Sequence, residues 1–251
     1  YDNLIKYLNK SDYYNLINEK TKKTRLDRLK ILGEMGDTGI YLKHTPDRIF
    51  YNLNKDEKNI DKSIEKKCPL CLISQSNNKI SPISSVRSIL WRKYLISPNT
   101  FPYFTNHMLV LSTDHNHGQG DKDRGTQKIL HLENNVLNDM IDLYVLLGQN
   151  GTMFFNGLIG NSQTHFHFHI TNENIPIKDI LYESNEINFD ILKSKNDNKI
   201  LLFRNNNKQC LNGVFFYGDY KTIGNEILVF LRMIIKKKLI YNVLFIENKL
   251  K

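Results

Sequence analysis

The chain has no alanine at all, and only three cysteines, six prolines and one tryptophan in 251 residues. Three cysteines, two of them close together, are too few for a disulfide framework and fit a reducing compartment. No apolar stretch is long enough to span a bilayer, and the first residues carry no signal-peptide pattern. The expectation is a cytoplasmic protein with no membrane partner. The chain opens on Tyr1 rather than Met, as a processed or truncated chain does, so a lost targeting segment is left open.

Asn, Lys and Ile crowd the places that alanine leaves, which is what an AT-rich genome imposes on any protein. The net charge of +9 invites a nucleic-acid partner, because clustered Lys and Arg release counterions from phosphates. Here the basic residues are scattered among Asn and Asp, so codon bias accounts for them and no nucleic-acid role is expected. With 40% hydrophobic residues the chain can bury a substantial core, as one large domain or two small ones.

Three regions follow along the chain. Residues 1–64 form an extension without a motif. It opens on a polar, basic helical stretch carrying Leu4, Ile5, Leu8, Tyr14, Leu16 and Ile17, followed by strand candidates at 39–43 and 48–52. Residues 65–177 hold strand-like runs at 85–90, 93–97 and 108–112, then an amphipathic helix. Its buried stripe is Ile129, Leu132, Val136, Met140, Leu143, Tyr144 and Leu147, closed by Gly148 and Gly151. A strand at 153–158 and a histidine strand complete this core. Residues 178–251 give an Asn and Lys-rich linker around 193–199, strands at 200–204 and 213–217, a helix over 223–239 and a last strand at 241–247. The run Lys236, Lys237, Lys238 at the helix end complements the helix dipole. Antiparallel strands with helices packed on one face make the fold class α+β.

The most informative segment is Asn161-Ser162-Gln163-Thr164-His165-Phe166-His167-Phe168-His169-Ile170. On a strand, alternate residues point to opposite faces, so His165, His167 and His169 share one face and Phe166 and Phe168 the other. A row of imidazoles has no packing rationale, so that face is expected to be chemical. Asn156 on the preceding strand, Gly160 and Ser162 add small and polar groups that can approach phosphate oxygens.

This segment resembles the signature of the histidine triad superfamily of nucleotide hydrolases and transferases. Upstream, the run from Asn99 through Phe101-Pro102 to Asn106-His107 is similar to the Asn-x-Phe-Pro-x-x-x-Asn-His segment of diadenosine tetraphosphate phosphorylases, a branch shared with galactose-1-phosphate uridylyltransferase. Tyr241-Asn242-Val243-Leu244-Phe245 resembles a strand in the second half of those phosphorylases. The resemblance therefore runs from about residue 65 to the end, and implies that residues 178–251 are a degenerate second half-repeat lacking its histidines.

Cys68-Pro69-Leu70-Cys71 can chelate one zinc with two thiolates, and a structural site needs two further ligands. His115 and His165 are the candidates, and zinc-containing members of the superfamily use a Cys pair, a His after this strand and the first triad His. A redox dithiol or two ordinary buried thiols are the competing readings, and His117 is an alternative ligand. Cys210 reads as core. The expected cofactor is structural zinc.

The resemblance implies that His167 attacks the α-phosphorus of a nucleotide, with its other ring nitrogen donating to a backbone carbonyl to fix the tautomer. It implies that His169 meets the bridging or leaving oxygen, while Ser162, Asn156 and Gln163 hold non-bridging oxygens. Asn99 is expected at the ribose. Phe101 and Tyr103 can flank the base or serve as core, and His107 reads as a structural strand histidine.

One residue departs from the branch. Phosphorylases and uridylyltransferases usually carry Gln at the third triad position, and this chain carries His169, as the hydrolases do. The preferred reading is a nucleotidyltransferase or phosphorylase acting on a dinucleotide polyphosphate or nucleoside diphosphate sugar. The alternatives are a nucleoside phosphate hydrolase and an inactive structural or binding protein. A homodimer is a further expectation, because superfamily members often pair.

Overall fold

A computed structural model describes residues 30–34, 41–44, 70, 88–99, 102–104, 106–113, 134–148, 151–157, 165–173, 175, 187–195, 198–205, 212–237, 239 and 241–246. Strands β1 (Lys30–Glu34) and β2 (Tyr41–His44) pair antiparallel. Residues 39 and 40 and the strand candidate at 48–52 lie outside the described residues. Then come β3 (Ile89–Trp91), β4 (Tyr94–Pro98), β5 (Met108–Ser112), helix α1 (Asn134–Leu146), β6 (Thr152–Phe155) and β7 (His167–Thr171). The chain continues through β8 (Ile187–Lys195), β9 (Asn198–Asn205), β10 (Asn212–Tyr217), helix α2 (Tyr220–Lys236) and β11 (Val243–Phe245).

Six strands make the central sheet in the order β11-β6-β7-β5-β4-β3, antiparallel throughout. The α+β architecture expected from the sequence is the one observed. Alternation divides the sheet into two unlike faces. On one face Tyr94, Ile96, Met108, Val110, Met153, Phe155, Phe166, Phe168 and Ile170 meet Val136, Met140, Leu143 and Tyr144 of α1, Leu147 just after it and Leu231 of α2 in a single buried cluster. Phe168 is the centre of its aromatic part, 5.3 Å from Phe155 and 5.6 Å from Phe166 between ring centroids. Burying one such ring contributes about 1.5–3 kcal/mol. Burial also pushes the phenol of Tyr241, on the edge of this cluster, above its ordinary value. Five of the stripe residues expected on α1 fall in the cluster, while Ile129 and Leu132 lie outside the described residues.

The other face carries Leu95 and Ser97 of β4, Leu109 and Leu111 of β5, and the histidines of β7. Register aligns them: Leu111 pairs with His167, Leu109 with His169 and Ser97 with Leu109. Leu95, Leu109 and Leu111 are buried together with Leu70.

The β3–β4 hairpin is tied to the helical layer by its turn. Arg92 has φ 52°, a left-handed conformation that costs a non-glycine residue strain. Its guanidinium bonds Asp139 and, at 2.9 Å, Asp142 on α1, and lies 4.6 Å over the Trp91 ring. These hydrogen bonds raise the Arg92 pKa above its ordinary value, Asp142 contributing most. Tyr94 donates to Asp139 at 3.1 Å, so two hairpin residues share one helix carboxylate.

In the stretch 193–199, expected as a linker, the described residues are strand: β8 runs to Lys195 and β9 begins at Asn198, paired antiparallel. Lys195 faces Asn198 and Ser194 faces Lys199, with an irregularity between Ile191 and Lys193. Strand β8 lies at the edge of a three-stranded sheet ordered β10-β9-β8. Lysines and bulges are what exposed edges carry to discourage further pairing, and that composition is the same as a linker's. Residues of the third region also leave their own sheet. Helix α2, capped by Asp219 accepting from the Thr222 N–H, packs beside α1, and β11 pairs with β6 in the central sheet.

Candidate functional site

The three triad histidines lie on one face, as their alternation predicts, and all three are buried. His165 precedes the regular strand but keeps its parity. Its Nε2–H donates to the carbonyl oxygen of Ser112 at 2.8 Å, which ties the entry of β7 to the end of β5. His167 donates from Nδ1–H to the carbonyl oxygen of His165 at 2.7 Å. A carbonyl oxygen only accepts, so Nδ1 carries the proton and the neutral ring has its lone pair on Nε2. That nitrogen is the one a nucleophile needs.

His169 sits in a denser setting. His107 Nε2 is 2.9 Å from His169 Nδ1, and both side chains are buried. The backbone N–H of Tyr103 donates to His107 Nδ1 at 3.3 Å, so in the neutral ring the proton of His107 is on Nε2 and goes to His169 Nδ1. The Tyr103 hydroxyl reaches the same Nδ1 at 3.5 Å. With Nδ1 accepting, neutral His169 carries its proton on Nε2. Asn156 Nδ2 lies 3.4 Å from that Nε2, and a carboxamide turned by half a rotation presents its oxygen to the proton instead. Phe154, on the same face of β6, stacks on the His169 ring at 4.7 Å and 12°.

The loop before β5 supplies the rest of this arrangement. Asn106 adopts φ 51°, a conformation Asn tolerates better than most residues, and turns the chain into β5. The Asn99 N–H then donates to the His107 carbonyl at 2.9 Å, closing the loop. Asn99 Nδ2 is 3.2 Å from each ring nitrogen of His107. Equal distances put the amide against the ring face. Asn99 thus contacts His107 rather than projecting alone into a pocket. Tyr103 packs edge-on to His107 at 4.4 Å, with Phe104 5.6 Å from the same ring.

His107, read from the sequence as a strand histidine, is therefore bonded to the third triad residue. Its parity is the signal: it lies two and four residues before Leu109 and Leu111, which share the histidine face. Phe154 was legible in the same way, from its place between Met153 and Phe155 on the opposite face. Tyr103 is half-buried and lies against His107 and His169.

Five of the predicted site residues, Ser162, Gln163, Cys68, Cys71 and His115, lie outside the described residues, as do Phe101, His117 and Cys210. Among the described residues no group of three or more His, Cys, Asp or Glu side chains forms a metal site. Two observations bear on a metal there. His165 commits Nε2 to a backbone carbonyl, the kind of outer bond that orients a metal-ligating imidazole, which would then bind through Nδ1. Leu70, between Cys68 and Cys71 in sequence, is buried against Leu109 and Leu111. The donor types present, two thiols and imidazoles, are those zinc prefers.

No protein-family model matches the chain, and no curated protein matches it. Among solved structures, the yeast Ap4A phosphorylase Apa2 in complex with AMP is similar over 86% of this chain and 67% of its own length, at 18% identity and a TM-score of 0.40. The same enzyme in complex with Ap4A is similar over 86% and 69%, at 16% identity and a TM-score of 0.40. Another structure of Apa2 gives 69% and 52%, at 16% identity and a TM-score of 0.31. No helix among the described residues is long and apolar enough to cross a membrane.

Proposed function

We propose that the chain is a histidine triad enzyme that transfers a nucleotidyl group through a covalent intermediate on His167. The observation that carries this reading is the 2.7 Å bond from His167 Nδ1 to the His165 carbonyl oxygen, which sets Nε2 as the nucleophilic nitrogen on a face shared with His169 and Asn156. An imidazole in that tautomer attacks the α-phosphorus of a nucleotide near neutral pH. The Nε2–phosphorus bond forms as the bond to the leaving oxygen breaks. His169 donates a hydrogen bond from its Nε2–H to that oxygen, which leaves as a phosphate anion and needs no proton. A phosphate or sugar phosphate oxygen then attacks the phosphorus and the phosphorus–nitrogen bond breaks, which returns the lone pair to His167 Nε2.

Non-bridging oxygens gain charge in each transition state, and Asn156, Ser162 and Gln163 are assigned to them. Asn99 is assigned to nucleotide binding through the loop it closes with His107. Zinc bound by Cys68, Cys71, His115 and His165 would hold the start of β7 in place and supply no chemistry. Nucleotides are the proposed substrates, with transfer to phosphate or a sugar phosphate preferred over hydrolysis because the segment from Asn99 to His107 is phosphorylase-like.

The test is intact-mass measurement after incubation with dinucleotide polyphosphates and nucleoside diphosphate sugars. A nucleoside monophosphate adduct on the wild-type chain, absent from His167→Gln, is the expected result. No adduct and no product from any donor, or an adduct surviving in His167→Gln, would overturn the proposal.

A further inference from the structure

The end of β6 is held by a residue far along the chain. The backbone N–H of Gly157, itself buried, donates to Asn242 Oδ1 at 2.8 Å, across 85 positions of sequence. Val243 pairs with Phe155 and Leu244 with Phe154, so the same register carried one step further brings Asn242 beside Asn156. Val243 and Phe245 pack on the helix-side cluster, which by alternation turns Leu244 and Asn242 to the histidine face. There the regular ladder stops, and a side-chain oxygen takes the bond that a strand carbonyl would otherwise accept.

The peptide unit whose N–H is fixed in this way joins Asn156 to Gly157. Fixing its plane fixes the ψ angle of Asn156, and with it the direction of a side chain whose amide lies 3.4 Å from His169 Nε2. A buried N–H has to find a partner, and Asn242 is the partner found.

We infer that Asn242 is a positioning residue, holding the Asn156–Gly157 peptide so that Asn156 meets His169. The third region of the chain then contributes to the reaction site through β11, beyond closing the sheet. The inference rests on the histidine face being that site. Its structural part, that Asn242 controls the surroundings of His169, can be read without any turnover.

The experiment uses the full chain with Asn242→Ala, which removes the acceptor, and Asn242→Asp, which keeps it and adds a charge. Nuclear magnetic resonance follows the Gly157 amide and the ring nitrogens of His169, while kinetics with a dinucleotide polyphosphate separate kcat from KM. In Asn242→Ala the Gly157 amide proton should move upfield and the His169 resonances should shift. The kcat value should fall by about ten-fold or more, the scale of a small misplacement of reacting groups. In Asn242→Asp both sets of resonances and kcat should return toward wild type, with KM raised because a carboxylate now faces an anionic substrate. If Asn242→Ala does not fold, Asn242→Leu, close in volume and likewise without an acceptor, replaces it. Unchanged His169 resonances in the variant without the acceptor, or failure of Asn242→Asp to restore them, would overturn the inference. Should wild type form no adduct and turn over no donor, the functional reading fails and the resonances alone decide the role of Asn242.

Discussion

His107 Nε2 lies 2.9 Å from His169 Nδ1 in a site where both rings are buried. Two imidazoles at that distance share one proton between facing nitrogens, because two N–H groups cannot point at each other. The Tyr103 N–H on the far side of His107 decides which ring donates. The outcome is a chain of bonds from the backbone of the loop, through His107, to His169. Its last link is the Nε2 proton of His169, on the side of the ring that faces Asn156.

Replacing His107 tests whether this chain orients His169. His107→Phe keeps an aromatic ring beside Tyr103 and removes the donor to Nδ1, so His169 can take either tautomer. Turnover should fall by up to about ten-fold, the scale of a misdirected hydrogen-bond donor. The His169 ring nitrogens, followed by 15N spectroscopy, should show a changed tautomer. Wild-type kcat with an unchanged His169 spectrum would remove His107 from the mechanism.

The histidine face was legible in the sequence because alternation on a strand needs no tertiary information. Helical spacing likewise gave the apolar stripe of α1, and a short continuous apolar run gave the strand Met108–Ser112 with its observed bounds. Alternation did not give the role of His107, since parity places a side chain on a face without saying that the diagonal neighbour on the adjacent strand is within reach. Asn242 is further still from the sequence, because its bond to Gly157 exists only once β11 has been laid against β6. The pairing of the end of β8 with the start of β9 was missed for a different reason: an exposed edge strand and a linker select the same polar residues.

Arg92 should contribute to stability through its two carboxylate partners, although its side chain is 47% exposed and such pairs are screened by water. Arg92→Ala should lower stability by about 1 kcal/mol or less, with a smaller effect in high salt. Arg92→Gly loses the same bonds but relieves the left-handed backbone, so it should be the more stable of the two variants. The guanidinium pKa is raised in the folded chain, so this stabilisation is fully present below the ordinary arginine value and disappears only as pH rises above it. It should be constant with pH through the neutral range. Urea unfolding of the two variants at low and high salt checks the order.

Metal content decides the assignment of Cys68, Cys71, His115 and His165. One zinc per chain is expected in protein purified without chelator. Cys68→Ser should release it and lower the melting temperature, by a loss on the order of several kcal/mol, because structural zinc binding is largely folding energy. The His167 adduct should still form on whatever fraction stays folded. Metal-free native protein with a neutral Cys68→Ser variant would leave only a pair of thiols.

The third triad position separates transfer from hydrolysis. His169 accepts at Nδ1 from His107 and stacks on Phe154 at 4.7 Å, so its ring is held in one orientation with Nε2–H as a fixed donor. A glutamine there can donate a fixed hydrogen bond but cannot deliver a proton to a leaving group. If the chain is a transferase, the His167 adduct should accumulate without an acceptor and discharge when phosphate or a sugar phosphate is added, in ping-pong fashion. His169→Gln should then be tolerated, or should raise the ratio of transfer to hydrolysis. A hydrolase that depends on His169 as its acid should instead lose about two or more powers of ten in rate. Product release measured with and without acceptor, in wild type and in His169→Gln, distinguishes the two. A wild-type rate indifferent to every acceptor, together with a crippled His169→Gln variant, would replace the transferase with the hydrolase.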